Sequence, residues 1–344
     1  MVQFVGVSDI VKLINQVGLE TVLRDLADRL EADFKRWPEF EKTPRLASHS
    51  RDGVIELMPI SDHAHYAFKY VNGHPKNTAR GLQTVAAFGV VSDVDTGYTI
   101  FVSEMTLLTA VRTAAMSALA ARYLARPDSR TMALIGLGAQ SEFQAIAFAE
   151  LVGIEHIRAY DVDEAATAKF VRNMRGRNFS VEVAESAADA VVGADIITTA
   201  TADKQQATIL SENMVGAGVH INAVGGDCPG KTELEAAVLR RSAIFVELTE
   251  QTRIEGEIQQ LAQDHPVTEL WEVITGQAEG RSSRDTVTIF DSVGFAMEDF
   301  SALQLIRDIA QQTGHFQDID LIVEPRDPRD LFGLLTEADA MAEA

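Results

Sequence analysis

Between Thr131 and Asp161 the chain runs through an apolar strand, a glycine loop, a helix and a second strand that ends on an acid. Met132-Ala133-Leu134-Ile135 leads into Gly136-Leu137-Gly138, and Gln140–Val152 reads as the helix that follows. In that order each residue type has a task. Gly136 permits the tight turn, Gly138 lets the backbone approach a pyrophosphate, and the free N–H groups of the helix start face the anion. Ser141, a small residue, stands where a third glycine is usual. Asp161, after Ile157–Tyr160, can accept hydrogen bonds from ribose hydroxyls and repel a 2′-phosphate, which favours NAD over NADP. In an unrelated α/β domain the same residues would be a glycine turn and a solvated acid. The complete order of elements favours the nucleotide.

The surrounding chain alternates in the βαβ manner. Strands are predicted at Thr131–Ile135, Ile157–Asp161, Val181–Ala184, Ile196–Ala200, His220–Val224, Ile244–Glu247 and Thr288–Asp291. Helices are predicted at Ala165–Arg175 and Ser186–Gly193. Such alternation implies an α/β fold with a doubly wound parallel sheet covered on both faces. With 344 residues the chain is too long for one ordinary core and suits two domains. The first block, to about Ala125, opens with an acidic amphipathic helix at Leu19–Trp37. Strand-like pieces follow at Gly53–Pro59, Tyr66–Val71 and Thr84–Val94, with Asp95-Thr96-Gly97 as the turn into Thr99–Ser103. A long helix at Glu104–Ala125 ends at Arg126-Pro127-Asp128-Ser129, a natural junction. Past Gly294 a helix at Ala296–Thr313 and a strand at Ile319–Val323 are expected, with a fraying acidic tail over 336–344. The expected division is 1–125 with 296–344 as one domain and 126–295 as the Rossmann domain.

The formal net charge of −21 makes nucleic acid and anionic lipid poor partners. The N-terminus lacks a basic segment followed by a long apolar one, and the apolar run Met105–Leu124 is interrupted by Arg112 and Arg122. A single cysteine, Cys228, suits a reducing compartment, so the cytoplasm is expected. His63-Ala64-His65 lacks an evident third ligand and reads as a polar turn, so no metal is expected. Glu255 and Glu257 read as acids on a solvated or interface helix face.

A second informative stretch is His220-Ile221-Asn222-Ala223-Val224-Gly225-Gly226-Asp227-Cys228-Pro229-Gly230-Lys231. A buried strand ends there, two glycines turn the chain, and Asp227 arrives at the carboxyl edge of the sheet, where ligands of open α/β sheets bind. A carboxylate in that place can exchange protons with a substrate. As an Asx-turn acid it would only shape the loop. The residues alone leave both readings open. Cys228 reads as a packed loop thiol, because no histidine lies close in sequence to activate it.

Gly225-Gly226-Asp227-Cys228-Pro229-Gly230-Lys231-Thr232-Glu233-Leu234 resembles the signature of the ornithine cyclodeaminase branch of the ornithine cyclodeaminase/μ-crystallin family. Arg45-Leu46-Ala47-Ser48-His49-Ser50, Glu56-Leu57-Met58-Pro59, Phe68-Lys69-Tyr70-Val71-Asn72-Gly73-His74-Pro75, Arg253-Ile254-Glu255-Gly256-Glu257-Ile258 and Phe290-Asp291-Ser292-Val293-Gly294 resemble it too, in the right order from Phe4 to about Phe332. The crystallin branch usually lacks the acid at Asp227.

The resemblance implies that the first domain is an α+β unit for substrate binding and dimerisation. It implies that Arg45, Lys69 and Arg112 hold the substrate carboxylate, where an arginine fork would suit, and that Val293 contacts the substrate. It makes Asp227 the general acid/base, with Glu56 a second site acid. Alternation within Val54-Ile55-Glu56-Leu57-Met58, taken alone, would turn Glu56 outward. Thr84, Arg112, Gly136, Gly138, Ala139, Gln140, Asp161, Thr201, Asn222, Ala223, Val224, Gly225, Lys231 and Ser292 match positions around the dinucleotide. The implied reaction converts L-ornithine to L-proline and ammonia, with NAD regenerated in each cycle, in a homodimer. A lysine cyclodeaminase, a ketimine reductase, an alanine dehydrogenase or a crystallin-like binding protein are the alternatives.

Overall fold

A computed structural model describes residues 1–201 and 208–335 of the chain, and the expected fraying tail lies outside them. Two sheets organise it. The first contains β1 (Val2–Val5), β2 (Glu41–Lys42), β3 (Leu46–His49), β4 (Val54–Ser61), β5 (His65–Gly73), β6 (Ala87–Asp93) and β7 (Thr99–Glu104). The strand Gln317–Ile319 joins β1 antiparallel at its edge, and β1 runs parallel to β7. From β7 the order continues β6, β5, β4, β2, with β3 also pairing β4. The turn between β6 and β7 closes where Gly97 donates its N–H to the Asp93 carbonyl.

The inner face of this sheet rests on the helices Ala296–Thr313 and Thr106–Leu124, and Leu19–Lys35 packs against both of them from behind. Leu19–Lys35 buries Val22, Leu23, Leu26, Leu30 and Phe34, a helical stripe that reaches the core. The side of the sheet away from the helices exposes Leu46, Ile55, Leu57 and Phe88, and Tyr70 stacks on Phe88 at 5.1 Å.

The second sheet contains β8 (Thr131–Ile135), β9 (His156–Tyr160), β10 (Ser180–Val183), β11 (Ile196–Thr199), β12 (His220–Ala223), β13 (Ala243–Val246), β14 (Thr268–Glu269) and β15 (Thr288–Asp291). Its order is β10-β9-β8-β11-β12-β15-β13-β14, and every recorded pairing is parallel. The chain builds outward from β8 through β9 to β10, then returns to β11 on the other side. That reversal makes the crevice at the carboxyl ends of β8 and β11 the place where such sheets bind ligands. A Rossmann α/β sheet with a second, mixed sheet is therefore the fold.

Several expectations need correction. The strand expected at Ile319–Val323 lies earlier, at Gln317–Ile319, where it can reach the open edge of β1. Thr84 precedes β6 in a loop, with its carbonyl taking the His74 N–H. The helix Val7–Val17 and the strands β1 and β3 were not anticipated. β3 escapes an alternation search because all four of its residues are exposed.

Candidate active site

β4 and β5 start the site. Val54, Glu56, Met58 and Ile60 point inward, and Ile55 and Leu57 point outward. The inward face is therefore the one that carries the acid, contrary to the reading from alternation. Both faces of β4 are apolar, so polarity alone assigns the wrong side. The antiparallel register pairs Glu56 with Val71 and Met58 with Lys69, which puts Glu56 and Lys69 on the same inner face of adjacent strands. Arg45 precedes β3, which pairs with β4 on its other side.

Each cation meets buried acids. The Lys69 ammonium donates to Asp299 Oδ1 at 2.9 Å. Burial pulls it down to about 8, the nearby Arg112 charge adds to the fall, and Asp299 opposes it. Arg112, on the helix Thr106–Leu124, donates to Glu298 Oε2 at 2.6 Å and lies 3.2 Å from Asp299 Oδ1. Glu298 and Asp299 come from the first turn of the helix Ala296–Thr313, and Glu298 Oε1 also accepts the Phe295 N–H that opens it. Arg45 Nη1 donates to Glu56 Oε2 at 3.2 Å, and its Nε lies 3.0 Å from Glu255 Oε2. Both Nη2 bonds go to backbone, at Val293 O (2.5 Å) and Gly294 O (2.6 Å). Among the described residues, Arg45 thus leaves one Nη1 hydrogen free, and its buried Nε lies in ion-pair range of Glu255 without a hydrogen bond, so the open bidentate fork expected of it is not what the site presents.

The loop Ser292-Val293-Gly294 ties these groups to the second sheet. Ser292 Oγ donates to Glu247 Oε1 at 2.6 Å, and the Gly294 N–H donates to the same oxygen at 3.2 Å. Gly294 has φ +77°, and a Cβ there would lie 2.6 Å from Arg112 Nη1. Only glycine lets the loop press against that guanidinium. Burial and the nearby Glu298 raise Glu247 well above the usual carboxylate range.

Asp227 stands on the loop after β12. Its side chain is about half exposed, and Lys231 Nζ donates to its Oδ1 at 3.3 Å and to Thr201 O at 3.0 Å. Beneath this loop lie two buried acids. Glu233 Oε1 takes the Thr201 N–H at 3.0 Å, and Glu257 takes the N–H groups of Glu233 and Leu234. Glu257 is fully buried and Glu255 is 5% exposed within the single chain, so neither sits on the solvated or interface helix face expected of them. Burial lifts Glu257 to about 8, with repulsion from Asp291 adding to it. Burial likewise lifts Asp291 to about 7, against its bonds from the Glu257 and Ile258 N–H groups. The sequence signal for these acids was faint. Gly225, Gly226 and Gly256 each press against a buried carboxyl, from Glu233, Glu257 and Asp291 respectively.

The glycine loop lies at the crevice. Gly136 has φ +96°, and a Cβ there would lie 2.6 Å from Ala200 O, at the end of β11. Gly138 faces open space, and Ala139 beside it is exposed. Asp161 Oδ2 accepts the Leu137 N–H at 2.6 Å, which pins the acid against the loop. Gln140, at the start of the helix Ser141–Val152, has a buried Oε1 without a hydrogen-bond partner. Asn222 directs its amide at Gln144 Oε1 and Thr198 Oγ1 inside the core, so its side chain serves the sheet, and Ala223 is fully buried beside it. Val224 donates its N–H to Thr199 O. His63 and His65 flank the β4–β5 turn, where Asp62 Oδ1 accepts the Ala64 and His65 N–H groups.

Residues 7–314 match the model of the Ornithine cyclodeaminase/mu-crystallin family. The chain belongs to this family. Among curated members, it is 62% identical to the ornithine cyclodeaminase of Agrobacterium fabrum over 340 residues, covering 99% of this chain and 96% of that protein. A solved lysine cyclodeaminase, described for its recognition of L-lysine, L-ornithine and L-2,4-diaminobutyric acid, superposes with TM-score 0.90 at 34% identity, covering 96% of this chain and 98% of the other. An archaeal alanine dehydrogenase dimer with bound NAD superposes with TM-score 0.86 at 29% identity, covering 93% and 99%.

Proposed function

We propose that the protein converts L-ornithine to L-proline and ammonia, using NAD+ as a hydride carrier that is restored in each turnover. The observation that carries this reading is the buried group of Arg45, Lys69 and Arg112 held among acids, beside an Asp227 loop, in a chain so similar to a named ornithine cyclodeaminase.

The crevice fits a dinucleotide. Gly138 leaves the backbone open to approach, Gln140 has an unanswered buried oxygen, and Asp161 borders the glycine loop. Gly136, Gly138, Ala139 and Gln140 would hold the pyrophosphate and Asp161 the ribose hydroxyls. Thr84, Arg112, Thr201, Lys231, Ser292 and the backbone from Asn222 to Gly225 would complete the site. Bound NAD+ supplies reversible hydride acceptance at the substrate Cα, so no reductant is consumed.

The chain's own residues then bind, orient and move protons. Lys69, Arg112 and the remaining Arg45 N–H take the substrate carboxylate, and Val293 packs against the substrate. Asp227, the most exposed of the site acids, accepts a proton from the distal ammonium and frees that amine to attack Cα. It returns the proton to the ammonia that departs. Glu56 fixes Arg45 and borders the same space. Tethered amines make ring closure a proximity-driven step.

The first sheet, with residues 1–125 and 296–344, is proposed as the substrate-binding and dimerisation domain, and 126–295 as the NAD-binding domain. The uncovered apolar face around Ile55, Leu57 and Phe88 is where a second copy would pack. Cytoplasmic placement is consistent with the single cysteine. It also accords with the finding that, among the described residues, no helix is long and apolar enough to cross a membrane.

The test is incubation with L-ornithine and NAD+ well below one equivalent of substrate. Many turnovers to proline and ammonia are expected. A yield capped by the NAD+ supplied would point to a dehydrogenase. Turnover of lysine in preference to ornithine would move the assignment by one methylene.

A further inference from the structure

Three carboxylates gather around Arg45. Glu56 accepts its Nη1 hydrogen bond, Glu255 lies beside its Nε, and the Asp227 charge acts on both Arg45 and Glu255. Fully ionised, the three acids set against Arg45 and the Lys231 bound to Asp227 leave one negative charge in excess. Lys69 and Arg112 do not balance it, since Asp299 and Glu298 hold them. A partly enclosed site with that excess favours a cationic group.

The three acids differ in what already occupies them. Glu56 Oε2 holds an Arg45 hydrogen bond. Asp227 is half exposed and bound to Lys231. The Glu255 side chain is 7% exposed, and its Oε2 accepts no hydrogen bond although Arg45 lies close by. A buried carboxylate oxygen without a donor is uncommon and calls for one. Glu255 ends the helix Thr249–Glu255, and Gln251 on that helix accepts the Arg45 backbone N–H and donates to Gly294 O, so the acid is fixed to the wall of the substrate space.

We propose that Glu255 receives the distal ammonium of a diamino acid and makes this site select diamines over monoamines. The proposal rests on the cyclodeaminase reading and gives the distal ammonium a fixed partner beside Asp227. Burial, only partly offset by Arg45, holds Glu255 up to about 7, with Glu56 and Asp227 adding to the rise. Its charged form, the one that attracts an ammonium, therefore grows as pH climbs through that value.

Glu255→Gln keeps the shape and an oxygen that can face Arg45, but removes the charge. Calorimetry with L-ornithine and with L-norvaline, which is the same chain without the distal amine, reads the selectivity directly. In the wild-type protein ornithine should bind more tightly than norvaline. In Glu255→Gln that preference should shrink by about tenfold or more, with norvaline and NAD+ binding within about twofold of wild type. The kcat/KM for ornithine should lose an acid limb near pH 7 that the wild type shows. An equal loss for both amino acids would overturn the proposal and leave Glu255 only as a support for Arg45, as would an unchanged preference. A wild-type protein that binds both ligands but releases no proline would refute the cyclodeaminase reading. The ligand preference would still decide the role of Glu255.

Discussion

Replacing Asp299 by Asn tests the electrostatic arrangement of the carboxylate site most directly. Asp299 is almost wholly buried and serves two cations, accepting from Lys69 at 2.9 Å and lying 3.2 Å from Arg112 Nε. Asn keeps the shape and an acceptor oxygen, so what is removed is the charge. At an effective dielectric of about 20 a charge pair near 3 Å is worth on the order of 5 kcal/mol. Arg112 and residual solvation offset part of this, leaving about 1.5–3 kcal/mol, or roughly one to two pKa units on Lys69. Lys69 already sits at about 8 against an ordinary 10.5, so the variant lysine would be largely neutral at pH 7.5. Binding of L-proline, a carboxylate ligand without a distal amine, can be followed by calorimetry from pH 6 to pH 9. Wild-type affinity should fall as pH rises through about 8. In Asp299→Asn the same fall should begin one to two units lower. An alkaline limb that stays in place would refute the assignment of Lys69 as the titrating carboxylate partner.

Other consequences are as direct. Asp227→Asn should reduce turnover by about a thousandfold or more while NAD+ binding, measured by fluorescence or calorimetry, stays near normal. Near-normal activity would remove Asp227 from the chemistry. Asp161→Ala should weaken NAD+ binding more than NADP+ binding, so an unchanged ratio would contradict the ribose role. Asp291 at about 7 and Glu257 at about 8 have folded values above those of free carboxylic acids. Stability from their neutral forms is fully present in acid and is lost as pH rises through about 7 to 8, whereas Lys69 works in the opposite sense above pH 8. The melting temperature should thus fall by about 4 °C or more between pH 6 and pH 8.5, and a flat profile would count against charged burial beneath the Asp227 loop. Introducing charge on the outer face of the first sheet, as in Leu57→Asp, should convert the proposed dimer to monomer in sedimentation analysis without unfolding the chain, and a wild-type chain that sediments as a monomer would remove that face as a dimer interface.

The strongly periodic elements were legible from sequence. Ala296–Thr313 and Thr288–Asp291 fall where they were expected, because each combines a clear apolar pattern with clear end signals. The glycine loop and its acid were legible for the same reason: a strand, two glycines and a helix leave little choice of geometry. Glu56 was misread on its own pattern because Ile55 and Leu57 are apolar and still face outward, and no single strand reveals which apolar side will meet a helix. Glu255 and Glu257 were misread because charge near a helix end ordinarily means solvent. Their burial depends on Arg45 and on the amides of Glu233 and Leu234, partners that lie between 23 and 210 positions away and come close only in the folded chain. Arg45, Lys69 and Arg112 were legible as cations in matched segments, but not the acids that hold each of them.

The first sheet is finished only at the far end of the chain. Its edge strand Gln317–Ile319 and its supporting helix Ala296–Thr313 follow the entire second sheet in sequence. On a ribosome, the inner face of β4–β6 therefore waits for roughly 200 further residues, or about 10–40 s at ordinary elongation rates. The Rossmann unit can close during that interval. The proposed carboxylate site cannot, because Glu298 and Asp299 arrive with the late helix. Lys69 and Arg112 thus acquire their counter-charges at almost the last moment of synthesis, and a chain interrupted before Ala296 would retain a nucleotide crevice but no place to hold an amino acid.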